Sequence, residues 1–480
     1  MTDFEIIVAH THDRGIGYEN GLPWPRIRED MSHFKRVTVS CGIGAQNAVI
    51  MGRSTYESLG SKPLPNRYNV VITSTPDRYV STANIYFTDD FDDALLVACS
   101  KAERVFVIGG QSIYEKALQY RNCSKIHLTL IDGEYPVDRY FPELPDYFKL
   151  IGEQAHIEGG IDFTFKTYKN VLDSTSDEQG YLDLLREVME HGEDIPNRTG
   201  ISTRASFGHQ LKYRIKCLNP EEPDQKKLMY QVPIFTTKRT VWRAAVGELI
   251  WMLRGDTHVK WLQDRKIPIW NGNSTREYLD SIGLNDYPEG YLGPVYGAQW
   301  VNWESEDGNI NQVEQIIDTL KNNPSDRRII MTAWNPAMLS KMALPPCHLT
   351  YVFMVTDFAK ERQTLNVTVL IRSNDLFLGH PFNVVGASVM LILFSRAANM
   401  IPGVVNVSIV NAHIYSNHFE QVATQLKRST YQFPTLTIDK SIDSWEDMTE
   451  LDVDIRPEGI NNFSLSNYYH QGTLAGKMAV

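Results

Sequence analysis

Cysteine is scarce in this chain. The 480 residues hold five (Cys41, Cys99, Cys123, Cys217 and Cys347), an odd number with no C-x-x-C pair and no His spacing of a zinc knot. That argues against a disulfide scaffold, and no metal site is expected. Long hydrophobic runs are missing as well. The longest, VVGASVMLILF over 384–394, is shorter than the ~20 residues that cross a bilayer and is broken by Gly386 and Ser388. A buried core helix fits it better. The start, MTDFEIIVAHTHDRG, is acidic where a secretory signal needs a basic stretch. A cytoplasmic location is therefore expected, and sequons such as Asn366-Val367-Thr368 are chance matches. Repeats of 20–50 residues, the mark of solenoids and propellers, are absent. So is an excess of positive charge: the net charge is -11, and both the first 170 residues and the remainder are more acidic than basic. Neither part is a basic nucleic-acid module, so no nucleic-acid or membrane partner is expected. An anionic small molecule stays open, because a pocket needs only a few converging cations.

What is present is a globular composition, 42% hydrophobic and 22% charged. The length exceeds one ordinary core and predicts a split. Residues 1–170 alternate short apolar runs, FEIIVA (4–9), NAVIM (47–51), NVVIT (69–73), RVFVIGG (104–110) and KIHLTLI (125–131), with helical or loop segments. This is the pattern of an α/β sheet. Around 171–180 the sequence VLDSTSDEQG loses apolar periodicity, which predicts a linker. A second domain over 181–480 then opens with Tyr181, Leu184, Leu185 and Val188 at amphipathic helix spacing. It also holds a predicted helix near 241–254, strands at 350–356 and 364–371, and the buried helix from about 384.

Three features of the first domain carry chemistry. Asp30 lies one turn before Phe34, an acid beside an aromatic, which suits a flat basic heterocycle. Taken alone, Asp30 reads first as a helix-start residue that complements the dipole. Gly109-Gly110 closes an apolar strand and precedes a helical segment, so backbone N–H groups can approach a phosphate, or simply make a tight turn. Met51-Gly52-Arg53-Ser54-Thr55 offers a guanidinium and two hydroxyls after another strand. No G-x-G-x-x-G opens the chain, which counts against a Rossmann dehydrogenase.

In order, AHTHDRGIGYENGLPWP (9–25), Asp30, Phe34, VIMGRSTYESL (49–59), PLPNR (63–67), FVIGGQSIYE (106–115) and LTLID (128–132) resemble dihydrofolate reductase across the whole segment. The resemblance implies a mixed sheet with flanking helices, NADPH as hydride donor, and Asp30 on the amidine edge of the pterin, supported by Thr129. It implies that Ala9, Phe34 and Ile108 line the pterin pocket, that Leu64 borders the benzoyl group, and that Arg67 pairs with the glutamate carboxylate. Ala9, Ile16, Gly17, Gly52, Arg53, Ser54, Thr55, Thr73, Ser74, Gly109, Gly110, Gln111, Ser112, Ile113 and Tyr114 would face the cofactor. The Gly109-Gly110 peptide would be cis, and Trp24 with the 15–25 segment would cover the nicotinamide.

In the second domain the sharpest feature is ALPPCH (343–348), with Cys347 after two prolines and His348 beside it. A free Cys is commonly an inert buried side chain. Arginines in short polar motifs, Arg198 in NRTG, Arg327 and Arg328 in SDRRII, and Arg372 beside Ser373, would bind phosphate if they converged and lower a thiol pKa; each alone fits a surface ion pair. Glu248 stands out because its neighbours one turn away, Ala244, Ala245, Trp251 and Met252, are all apolar. Its pKa should be perturbed, unless an internal Arg neutralises it.

With FGHQL (207–211), TTKR (236–239), ELIWML (248–253), LGPVYGAQW (292–300), HPFN (380–383) and HIYSNH (413–418), these motifs resemble thymidylate synthase, an α+β fold, over essentially the whole second part. A reductase followed by a synthase in one chain resembles the bifunctional dihydrofolate reductase–thymidylate synthase family. The resemblance implies catalysis by Cys347, Glu248, Tyr296 and His348, with Cys347 attacking carbon 6 of dUMP and methylenetetrahydrofolate supplying the one-carbon unit. Arg198, Arg372 and Ser373 would hold the 5′-phosphate with Arg327 and Arg328 of a partner subunit, so a homodimer is implied. Asn383 would read the uracil amide, His413 and Tyr415 the ribose hydroxyl, Asp375 both nucleotide and folate, and Trp270 the folate. Six positions depart from the family pattern: Asn271, Val301, Ile371, Asn374, His380 and Asn411. A second reading follows from them, a working reductase joined to a synthase-like dimerisation scaffold.

Overall fold

The apolar runs of residues 1–170 become neighbours in one eight-stranded sheet. A computed structural model describes residues 3–42, 44–120, 122–172, 176–197, 200–454 and 461–477, which fall into two units, Met1–Leu172 and Asp173–Val480. In the first, strand order is Ile85–Thr88, Arg67–Ile72, Asn47–Gly52, Val105–Val107, Phe4–Thr11, Cys123–Ile131, Ile161–Asn170, Phe148–Glu158. The first six are parallel and the last two antiparallel. Central parallel strands are covered on both faces, which is why they read as continuous apolar runs. Alternate side chains serve opposite faces: Phe4, Ile6 and Val8 pack with Ala48, Ile50 and Val107 on one, and Ile7 with Val49, Met51 and Phe106 on the other. The run expected as a strand over 104–110 stops at Val107. Ile108 still donates its N–H to Ile50 O at 2.9 Å, and a cis Gly109–Gly110 peptide turns the chain into the Gln111–Ala117 helix.

The antiparallel edge closes through Gly159 and Gly160, at φ 62° and 84°, the conformation a two-residue hairpin turn demands. Just before that turn, Glu158 reaches the start of the Arg28–Val39 helix. Its carboxylate accepts the N–H groups of Arg28 and Glu29 at 3.1 and 2.7 Å. Ile27 at the N-cap has no side chain that could do so.

The second unit starts its first helix at Glu178, not at Tyr181, so residues 178–180 leave the expected 171–180 linker and belong to the helix Glu178–His191. The reason is a buried carboxylate. Glu178 has no solvent exposure and accepts hydrogen bonds from the backbone and hydroxyl of both Thr236 and Thr237, at 2.6–2.9 Å. Nothing in the polar run around it signals partners 58 residues away.

A six-stranded sheet follows, in the order Glu193–Ile195, Thr203–Arg214, Ile401–Tyr415, Thr364–Asp375, His348–Thr356, Ile330–Thr332. The pair Thr364–Asp375 and Ile401–Tyr415 is parallel and is bridged by the helix Gly379–Ala397, which begins five residues before the expected 384. That helix is apolar around its whole circumference because it is covered on all sides; each fully buried Val or Leu contributes about 1.5–3 kcal/mol. Trp242–Leu253 packs against it. Among the described residues no helix is long and apolar enough to cross a membrane.

Candidate active sites

In the first unit Asp30 is the third residue of the Arg28–Val39 helix, yet it does not cap it. Its side chain turns inward, 8% exposed, and accepts a hydrogen bond from Thr129 Oγ1 at 2.7 Å. Burial raises the Asp30 pKa, and the Thr129 hydroxyl pulls partly the other way. The parallel register sets Ala9 opposite Thr129. Phe34, Leu64 and Ile108 pack together against the Val49, Met51 and Tyr56 side of the core. Arg67 lies 5.8 Å from the Phe34 ring. It is buried, donates to Thr38 Oγ1 at 2.8 Å and to Pro65 O at 3.1 Å, and has its pKa lowered by desolvation.

Beside this pocket runs a shelf with little side chain. Gly52 N–H donates to Gly109 O at 2.7 Å; a Cβ on Gly52 would stand 3.1 Å from Ile113, and one on Gly110 would stand 3.5 Å from Thr55 Oγ1. Arg53 and Ser54 are exposed at the start of the Arg53–Ser58 helix, with Arg53 paired to Glu57 at 3.0 Å. Thr73 is buried and Ser74 exposed. Ser112 is exposed on the Gln111–Ala117 helix, while Tyr114 is buried and donates to Ile7 O at 2.9 Å. Gln111 accepts the Tyr140 N–H at 3.0 Å, and Arg139–Tyr140 pairs with Gly15–Gly17, the segment of Ile16 and Gly17. Trp24 is in the core with Ile27, Ile131 and Phe163.

In the second unit Cys347 sits at the mouth of the His348–Thr356 strand, held through its backbone. Tyr296 OH accepts the Cys347 N–H at 2.7 Å and the His348 N–H at 3.3 Å. Arg372 donates to Pro346 O and Pro345 O at 2.8 and 3.0 Å, and its own N–H donates to Cys347 O at 3.0 Å. The guanidinium is thus anchored to the Pro-Pro segment through Nε and Nη2. Glu248 accepts the Trp270 indole N–H at 2.9 Å. Among the described residues no Lys or Arg pairs with it. Burial pushes its pKa up to about 7. Trp270 stands edge-on to Tyr296 at 6.3 Å. Burial keeps Tyr296 a phenol, its pKa raised, and holds His348 neutral at about 4; Tyr351 OH lies 3.2 Å from His348 Nδ1.

The loop after Arg372 and Ser373 is fixed from several sides. Asp375 Oδ1 accepts the N–H groups of Phe377 and Leu378 at 2.9 and 3.1 Å, Tyr181 OH donates to Leu376 O at 2.9 Å, and Lys238 donates to Phe377 O. Strand register places Asp375 opposite His413 and Ser373 opposite Asn411. Asn383, the fifth residue of the Gly379–Ala397 helix, accepts from Asn374 Nδ2 at 3.1 Å. Tyr415 stands edge-on to His413 at 5.3 Å. Arg327 and Arg328 are exposed before the edge strand, Arg328 pairing with Asp326 at 2.9 Å. Arg198 lies outside the described residues.

A dihydrofolate reductase family profile matches residues 3–170 and a thymidylate synthase profile residues 179–480. The bifunctional dihydrofolate reductase-thymidylate synthase of Paramecium tetraurelia is 36% identical over 495 aligned residues, covering 99% of each chain. Enzyme 1 of that name in Arabidopsis thaliana is 34% identical over 99% of this chain and 96% of its own, and that of Leishmania amazonensis 34% over 94% and 92%. The chain belongs to the bifunctional dihydrofolate reductase–thymidylate synthase family.

Within the synthase unit three of the departures have local packing or partners. Ile371 is core. Asn411 Oδ1 accepts from His413 Nδ1 at 2.9 Å, so the His keeps a partner without an acid. His380 bonds Tyr213 OH at 2.7 Å and stacks on Tyr181 at 5.4 Å; burial lowers its pKa to about 3. Sequence reasoning missed Lys238, though TTKR was in view: burial lowers its pKa to about 8, and no local pattern announces an ammonium aimed at a carbonyl 139 residues on. It also missed Thr38 under Arg67 in the reductase unit. Asn383 facing His348 and Asn374 is equally a product of tertiary packing.

Proposed function

We infer that the two sites perform consecutive reactions on one folate. The chain is a thymidylate synthase that methylates dUMP to dTMP with methylenetetrahydrofolate, and an NADPH-dependent dihydrofolate reductase that returns the resulting dihydrofolate to tetrahydrofolate. The scaffold reading is not favoured: a buried acid poised near pH 7, linked through Trp270 to the Tyr296 that orders the Cys347 backbone, supports a working site.

For the reductase, residues 1–170, the observation that carries the assignment is the inward Asp30 with Thr129 as its partner. Asp30 would hold the pterin amidine edge and help bring a proton to nitrogen 5; its raised pKa suits that task. The bare Gly52 and Gly109–Gly110 shelf, with Arg53, Ser54 and Thr55 at its edge, fits a dinucleotide backbone, and NADPH supplies the hydride when bound. Arg67, buried but cationic, would take the glutamate carboxylate.

For the synthase, from the helix at Glu178 onward, the Tyr296 hydroxyl carries the assignment, because it aligns Cys347 and His348 at once. The Cys347 thiolate would add to carbon 6 of dUMP, moving the C5–C6 electron pair toward an enolate whose carbon 5 takes the methylene. Glu248, near its pKa at neutral pH, would pass protons through water, and phenolic Tyr296 would orient the water that takes the carbon 5 proton. Ser373 with the arginines would hold phosphate, His413 and Tyr415 the ribose, and Trp270 and Asp375 the folate.

The complete phosphate site needs a second copy. The outer face of the six-stranded sheet exposes Ile330, Val352, Met354 (64% exposed), Leu370 and Val410, an apolar surface that a homodimer would cover. Arg327 and Arg328, at the edge of this sheet, would then serve the partner. Mixing inactive Cys347→Ala and Arg328→Ala subunits should restore up to about a quarter of dTMP formation through heterodimers with one intact site; no recovery on verified subunit exchange would exclude sharing. We place the enzyme in the cytoplasm.

A further inference from the structure

We propose that Tyr351 is a positioning residue of the synthase that holds His348 as its Nε2–H tautomer, so that the imidazole meets the nucleotide as a donor. The inference rests on the reading of His348 as part of the dUMP site. Sequence spacing alone would separate the two residues, because side chains three apart on a regular strand point to opposite faces. Here the register slips: His348 lies opposite Ile371 and Thr350 opposite Leu370, two residues against one. The bulge re-aims His348 toward the side of Tyr351, whose OH meets His348 Nδ1 at 3.2 Å. Tyr351 is 3% exposed. Its ring stands edge-on to His348 at 6.2 Å and to Trp300 at 5.6 Å, which fixes where the hydroxyl points.

The tautomer follows from where the hydroxyl hydrogen can go. Among the described residues Nδ1 is the one hydrogen-bond partner of Tyr351 OH. Burial raises the Tyr351 pKa, so the phenol keeps its hydrogen, and a buried O–H without an acceptor is costly. It therefore donates to Nδ1. A neutral imidazole has one N–H and one lone pair, and His348 is neutral at pH 7. With the lone pair committed at Nδ1, the hydrogen sits on Nε2. His348 is only half-buried, so the ring edge away from Tyr351 is the one that can meet a ligand. When Cys347 adds to carbon 6, negative charge moves onto the uracil as an enolate. An Nε2–H turned toward that charge stabilises it, whereas an Nε2 lone pair would repel it.

The experiment is 15N NMR of the full chain labelled at histidine, with the His348 signals assigned by their loss in His348→Ala, alongside dUMP binding and turnover. At pH 7 the parent should show His348 as Nε2–H. Tyr351→Phe keeps the ring and removes the hydroxyl; it should raise the ratio of Nδ1–H to Nε2–H by about fivefold. It should lower kcat by about threefold to tenfold while the Kd for dUMP stays within about twofold. The Tyr351→Phe/His348→Ala pair should turn over no more slowly than His348→Ala alone. A parent spectrum with His348 as Nδ1–H overturns the proposal outright. If His348→Ala lowers kcat while Tyr351→Phe leaves it unchanged, the proposal fails and the His348 reading stands. If His348→Ala leaves kcat unchanged, the His348 reading falls and takes the proposal with it. A lower kcat in Tyr351→Phe with an unchanged tautomer ratio would show a merely structural role and overturn it as well.

Discussion

The two sites solve opposite problems with a buried carboxyl. In the reductase unit, Asp30 is desolvated on a helix whose N-terminus is capped by another acid, Glu158, and a single hydroxyl, Thr129, meets it. In the synthase unit, Glu248 is desolvated on an apolar helix and met by a single indole N–H. Both pKa values rise for the same reason, loss of water. The surroundings differ in kind: the proposed reductase acid is met by one hydroxyl, whereas the proposed synthase acid is met by the Trp270 indole, which stands against Tyr296, the residue that with Arg372 clamps the Cys347 backbone. One unit needs only alignment and a proton; the other needs a nucleophile, and so more of its hydrogen bonds are invested in fixing one residue.

The largest test of that contrast removes the proposed nucleophile. Cys347→Ala should lower dTMP formation by more than about 10⁴-fold while NADPH-dependent reduction of added dihydrofolate in the same preparation is unchanged. Asp30→Asn should do the reverse, costing the reductase about 10²–10⁴-fold with tritium release from labelled dUMP preserved. Loss of both activities in either variant would break the separation.

How much of this was legible in residues alone depends on the range of the interaction. Glu248 announced itself, because its apolar neighbours lie one helical turn away and the sequence prints them side by side. Asp30 was ambiguous from sequence, since a helix-start acid and a buried acid share one spelling; what resolves it is Glu158, 128 positions on, taking the capping role. Glu178 looked like linker because its partners Thr236 and Thr237 are remote. Arg372 was expected on phosphate, and its hold on the Pro345 and Pro346 carbonyls depends on two strands meeting at Cys347. The central strands and the buried helix were readable from apolar runs, while their ends, at Val107 and Gly379, were set by hydrogen bonds and by a peptide turn.

Glu248→Gln offers a smaller but sharper comparison. It should lower synthase turnover by about 10²–10³-fold, and it should change stability with a defined sign. The folded carboxyl sits at about 7 against the ordinary 4.5, so the native state holds its proton longer than the unfolded one. Stability from that difference is complete below about pH 4.5 and is lost as pH rises through 7. Thermal unfolding should therefore show the Gln variant gaining on the parent between pH 4.5 and 7, then keeping a constant lead. A lead that shrinks with pH would mean the carboxylate is stabilised by a cation after all.

The smallest effect is also the most specific to the reductase. Thr129→Val keeps shape and removes the hydroxyl that lowers the Asp30 pKa, so the acid should retain its proton to higher pH. At pH 7 the rate should change by no more than about tenfold, the scale of one neutral hydrogen bond. The alkaline limb of the reductase pH profile should move upward while the synthase profile, governed by Glu248, stays put. Movement of the limb downward would show that Thr129 stabilises the protonated form, reversing the sign assigned to its hydrogen bond and making the two buried acids less alike than their shared desolvation suggests.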